Sequence, residues 1–160
     1  MDINTLLAGL DFSRTRLLGI LDTIEKSGQD TSRVLGWRPG PGRAHIAWQA
    51  MHCAATHDKY LNVALKGGKP RDEALCANYA GGSAPADHNV PDLAAIRSAL
   101  EGNYRSFRDY VAAIAPAELD RKLPSNRTVG ESIILMAWHE AHHQGQIHLT
   151  WNLYKQAHGI

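Results

Sequence analysis

Cysteine is scarce in this chain of 160 residues: there are two, Cys53 and Cys76. That is too few for a disulfide framework, and a reducing cytoplasm is the expected location. Charge of one sign is not in excess either. With 17 Lys and Arg against 16 Asp and Glu, the formal net charge is +1. A nucleic-acid partner is therefore not expected, because neutralising phosphates takes a concentrated basic surface. No stretch approaches the roughly 18 consecutive apolar residues of a membrane-spanning helix, so no membrane partner is expected. The run Met1–Thr5 has no basic region ahead of an apolar stretch, and a secretory signal is not expected. Long period-two alternation, internal repeats, low-complexity tracts and interdomain linkers are all missing, so residues 1–160 read as a single domain with its own core.

What is there is helical spacing. Apolar residues at Leu6, Leu7, Leu10, Leu17, Leu18, Leu21 and Ile24 follow the three-four rhythm of one helix face, and Gly28 supplies a C-terminal stop. A loop carrying Gly36, Pro39, Gly40, Pro41 and Gly42 follows, and no regular element absorbs it. A second helix is predicted from about Arg43 to Lys66. Residues 67–91 form a long connection with one helical turn around Arg71–Ala77. A third helix runs from near Pro91 to about Ala115. The fourth opens at Thr128, with Glu131 three residues on as a capping box, and continues to about Gln156. These elements predict an all-α fold: a four-helix bundle with a long connection between helices 2 and 3.

The histidines stand out, nine beside the two cysteines. Trp138-His139-Glu140-Ala141-His142-His143 places His139 and His143 one turn apart on one helix face, where both imidazoles can reach one ion. Ser132, Met136, Ile147, Thr150 and Tyr154 share that face, which predicts that it points inward. His142 falls at its edge and His148 opposite. On the second helix His52 is central to a face shared by His45, Trp48, Gln49 and Thr56, while His57 falls outside it. A purely apolar core face would not need these groups together. Three inward histidines each require a partner, and one divalent cation satisfies all three. His45, Trp48, Gln49, Thr56, Glu140 and His142 are the candidates for lining or supporting the site. His57, His88, His148 and His158 are expected at the surface, and Cys53 as a packed small residue. Trp48, Trp138 and Trp151 are expected to pack.

His139-Glu140-Ala141-His142-His143 formally fits H-E-x-x-H. The longer metalloprotease pattern is absent, however, no acidic residue follows Glu140, and no sheet is predicted to hold a peptide. The run His139–Ile147 instead resembles the H-x-x-H-H-x-G-Q-hydrophobic signature of the DinB-like family of DNA-damage-inducible four-helix-bundle metalloenzymes. Ile46–His52 resembles that family's metal-binding second helix. Gln144 stands where the family often has Arg. The resemblance implies His52, His139 and His143 as metal ligands, the same three as the helical wheel.

Three histidines leave a position open, the mark of a catalytic metal rather than a structural one. All-nitrogen ligation suits Zn, Ni, Fe or Cu. Neutral ligands leave the ion's charge in place to lower the pKa of bound water or thiol. Family members that use low-molecular-weight thiols imply a thiol-dependent transferase acting on a small molecule. Three readings stand: a metal-dependent transferase or hydrolase, a non-catalytic metal- or small-ligand-binding stress-response protein, and a metal-free bundle whose fourth helix associates with protein. A strip of Ala137, Ala141 and Gly145 permits close helix approach and predicts a homodimer contact.

Overall fold

Helix starts are written into the chain as side-chain caps. In the computed structural model, which describes residues 2–88 and 90–160, Asp2 accepts from the Thr5 amide at 3.0 Å and opens α1, Ile3–Glu25. Asp30 caps α2, Thr31–Gly36, through the amides of Ser32 and Arg33. His45 caps α3, Ile46–Lys59, and Asp72 caps α4, Glu73–Tyr79. Asp92 accepts from the Ala95 amide at 2.7 Å to start α5, Leu93–Ala113. The capping box of Thr128 and Glu131 starts α6, Val129–His158, which stops at Gly159 in the left-handed conformation at φ 67°. Each cap satisfies amides that have no partner inside the helix.

The described residues are helical with no strand, and they carry six α-helices rather than four. Four are the long helices read from the sequence: α1, α3, α5 and α6. The two additions are short. α2 lies in the segment expected to be loop, since six residues leave no room for a periodic signal. α4 lies in the long connection, close to the turn expected there. α3 begins at Ile46 rather than near Arg43 because the His45 side chain is its cap. It does not end at Lys59: residues Tyr60–Leu65 continue as a π-helix, with the Lys66 amide donating to the Leu61 carbonyl at 3.1 Å. A single 3₁₀ turn, Pro116–Asp120, sits in the α5–α6 connection.

α6 lies along α1 and also packs on α3, while α3 packs on α5. At Gly9 α1 faces Ala137 of α6, where an added Cβ would lie in ordinary van der Waals contact at 4.0 Å. The buried apolar residues form two clusters. One joins Leu17, Leu21, Ile46, Leu100, Ile147 and Trp151; the other joins Leu10, Leu61, Phe107, Val129, Ile133 and Met136. Between them the helices carry a layer of buried polar groups: Ser13 and Arg14 on α1, His52, Thr56, His57 and Asp58 on α3, Glu140 and His143 on α6. Asp58 pins the connection to α3 by accepting from the amides of Arg71 at 2.9 Å and Asp72 at 2.8 Å.

Candidate metal centre

His52, His139 and His143 meet in this polar layer. Each offers a nitrogen, and the three nitrogens lie within 4.8 Å of one another. His139 and His143 face one way because they are one turn apart on α6, with ring centroids 4.5 Å apart. His52 arrives from α3, its ring centroid 4.9 Å from His139 and 4.7 Å from His143. Its Nδ1 lies 2.5 Å from the carbonyl oxygen of Tyr79. A carbonyl can only accept, so Nδ1 carries the proton and Nε2 presents a lone pair toward His139 Nε2, 3.0 Å away. Trp48 stacks on the His52 ring at 4.8 Å and 9° between planes, fixing its orientation from the other side.

Burial is the main cause that holds all three imidazoles neutral. It lowers His52 below the ordinary histidine value. With the neighbouring imidazoles added, it takes His139 to about 4 and His143 to about 3. Neutral imidazole is the form that ligates. The buried Nδ1 of His143 finds no hydrogen-bond partner among the described residues, an arrangement that apolar packing alone does not explain. The donor set of three neutral, convergent nitrogens fits a divalent ion and leaves the ion's charge uncompensated.

The supporting candidates divide. Trp48 touches His52, and Thr56 lines the pocket beside it. His45 does not face the cluster: its Nδ1 accepts from the Trp48 amide at 3.0 Å and its Nε2 donates to the Ala86 carbonyl at 3.0 Å. Gln49 binds the Ala44 carbonyl and Thr150, away from the imidazoles. His142 is exposed, stacked on Trp138 and accepting from Gln146 at 2.8 Å. Trp138 is itself 58% exposed, so it does not pack as expected. Cys53 lies in the core with its thiol pushed up by burial, which suits packing and not nucleophilic attack. His88 and His148 are exposed, and His158 is half-buried against Tyr154.

His57 is the correction with the largest consequence. It is buried, not at the surface, and belongs with Glu140 and with Arg14, which the sequence reading missed. Arg14 Nε lies 2.9 Å from Glu140 Oε1, and His57 Nε2 lies 3.8 Å from Glu140 Oε2. His57 Nδ1 donates to the Cys53 carbonyl at 3.1 Å, and the Arg14 guanidinium sits 4.5 Å above the Tyr104 ring. Burial pushes the Glu140 carboxyl up to about 7, against the pull of Arg14, and takes His57 down to about 3. One signal could have found Arg14: it occupies the buried stripe of α1 between Leu10 and Leu17.

A pocket of about 420 Å³ opens beside His52 and His139. Its walls come from α3, the π-helical segment, Ala80 and Gly81 just after α4, and α6. The described residues thus form an all-helical protein in which His52, His139 and His143 could hold a metal ion, with His52 and His139 lining the pocket. The chain belongs to the DinB superfamily, whose family model matches residues 9–147. No curated protein matches the chain.

Proposed function

We propose that this protein is a cytoplasmic, divalent-metal-dependent enzyme whose ion is held by His52, His139 and His143. We read its four long helices as one four-helix bundle built around that site. The observation that carries the proposal is the convergence of three neutral imidazoles, two of which, His52 and His139, line a pocket. A bound Zn, Ni or Fe ion would supply Lewis-acid charge that activates a coordinated water or thiol. The chain's own part is positional. The Tyr79 carbonyl fixes the His52 tautomer, Trp48 fixes the ring plane, and α6 fixes the pitch between His139 and His143. The reaction is a transfer or hydrolysis on a small molecule, with a low-molecular-weight thiol as co-substrate, as the family kinship supports.

Metal analysis of the purified protein tests this directly. One equivalent of a divalent metal, lost in His139→Ala, is expected; a metal-free wild type that takes up none on addition ends the reading. Thiols offered with electrophiles should then give metal-dependent turnover. Stoichiometric metal without turnover would favour the non-catalytic metal-binding alternative. Of the small-residue strip, Ala137 packs against the core and faces Gly9 of α1; we propose a homodimer through the exposed remainder, Ala141 and Gly145, which light scattering at high concentration tests.

A further inference from the structure

The pocket beside the histidines has a chemistry of its own. Val63, Ala64, Leu135 and Met136 make its wall largely carbon, and Lys59 is the only charged side chain among its described lining residues. Lys59 stands where α3 gives way to the π-helix, is exposed, and has no ion-pair partner among the described residues. Its neighbour Asp58 offers no compensation, being buried on the amides of Arg71 and Asp72. The π-helix matters here because its extra residue per turn re-aims side chains, and such segments are frequent at functional sites. Tyr60, Val63 and Ala64 reach the pocket wall from it. An apolar cleft with one uncompensated cation at its edge favours an anion with an apolar body.

We propose that this pocket binds a small amphipathic anion, its apolar body between the π-helical segment and α6 and its carboxylate- or sulfonate-like group on Lys59. The proposal deepens the enzyme reading by naming a substrate class; it rests on that reading for the chemistry but not for the binding. Lys59 is a specificity residue here, with the body of the ligand lying toward His52 and His139.

Fluorescence titration tests it with two probes, 8-anilinonaphthalene-1-sulfonate and its uncharged relative N-phenyl-1-naphthylamine, on wild type and on variants shown to be folded by circular dichroism. Lys59→Met should weaken sulfonate binding by about three- to fivefold, leave the uncharged probe within twofold, and be rescued by Lys59→Arg. Ala64→Trp, which fills the pocket, should abolish binding of both. Unchanged sulfonate affinity in Lys59→Met, or full binding in Ala64→Trp, overturns the proposal. Titrations with chelator and with added metal separate the two readings. Lys59-dependent binding in a protein that takes up no metal upholds this proposal and removes the metal site. Metal uptake with no effect at Lys59 or Ala64 does the reverse.

Discussion

Adjacent residues of α6, His139 and Glu140, serve two polar clusters that solve the problem of burial in opposite ways. The Arg14–Glu140–His57 cluster is closed: Arg14 and Glu140 side chains are 5% and 0% exposed and bring charges of both signs. The His52–His139–His143 cluster borders a pocket and brings no acidic group; polar atoms without a hydrogen-bond partner occur in both clusters, on Arg14, His57 and Glu140 as on His143. A buried pair that contains its own counter-charge acts on stability and on the register of the helices. A cluster of neutral donors without one is suited to receive a cation. The difference predicts that the first cluster answers to denaturation and the second to metal.

Breaking the closed cluster should have the largest effect. Glu140→Ala strands the Arg14 charge and should cost about 3–5 kcal/mol, read by urea denaturation. Arg14→Met with Glu140→Leu should recover much of that loss, and a double variant no more stable than Glu140→Ala would refute the pairing. The open cluster should respond differently: His143→Ala should cost little stability in metal-free protein yet weaken metal binding by more than about 100-fold, beyond the loss usual for residues that only support a ligand. Calorimetric titration measures it. Added metal should raise the melting temperature of wild type and not of His143→Ala.

Acid sharpens the contrast. His57, His139 and His143 have folded values of about 3, 4 and 3, below the ordinary histidine 6.5. The unfolded chain therefore takes up protons first, and their contribution, present above pH 6.5, is lost as pH falls toward 3. Each can contribute up to about 1.4 kcal/mol per pH unit. Glu140 has the opposite sign: with a folded value of about 7 against 4.5, it favours folding at low pH and loses that contribution between 4.5 and 7. Glu140→Gln should thus steepen the fall in stability as pH drops from 6.5 to 4.5, measured by denaturation at a series of pH values. The smallest effect belongs to a site in neither cluster. Thr128→Ala removes the α6 cap at a cost of about 1 kcal/mol and should leave metal affinity unchanged.

How far the site could be read in advance depended on where its information lies. Periodicity placed His139 and His143 on one face because helical pitch is local, and it brought His52 to a mixed face for the same reason. It misplaced His57, since a wheel orders faces but does not say how many neighbours cover each one. α3 is packed by α5, α6 and α4 together, so even its far side is buried. Trp138 failed in the other direction, on a face of α6 that the described residues leave largely exposed. The Tyr79 carbonyl left no side-chain signal at all.

By itself the sequence determined the helical class, the four long helices, the α6 capping box and, helix by helix, the inward faces that carry His52, His139 and His143, each a consequence of spacing within one element. Only the tertiary structure decided that Arg14, His57 and Glu140 share a buried layer, that Tyr79 orients His52, and that a π-helical segment lines a pocket near Lys59. Those depend on which elements cross at one level. Crossings arise from packing between residues far apart in the chain, which no local period encodes.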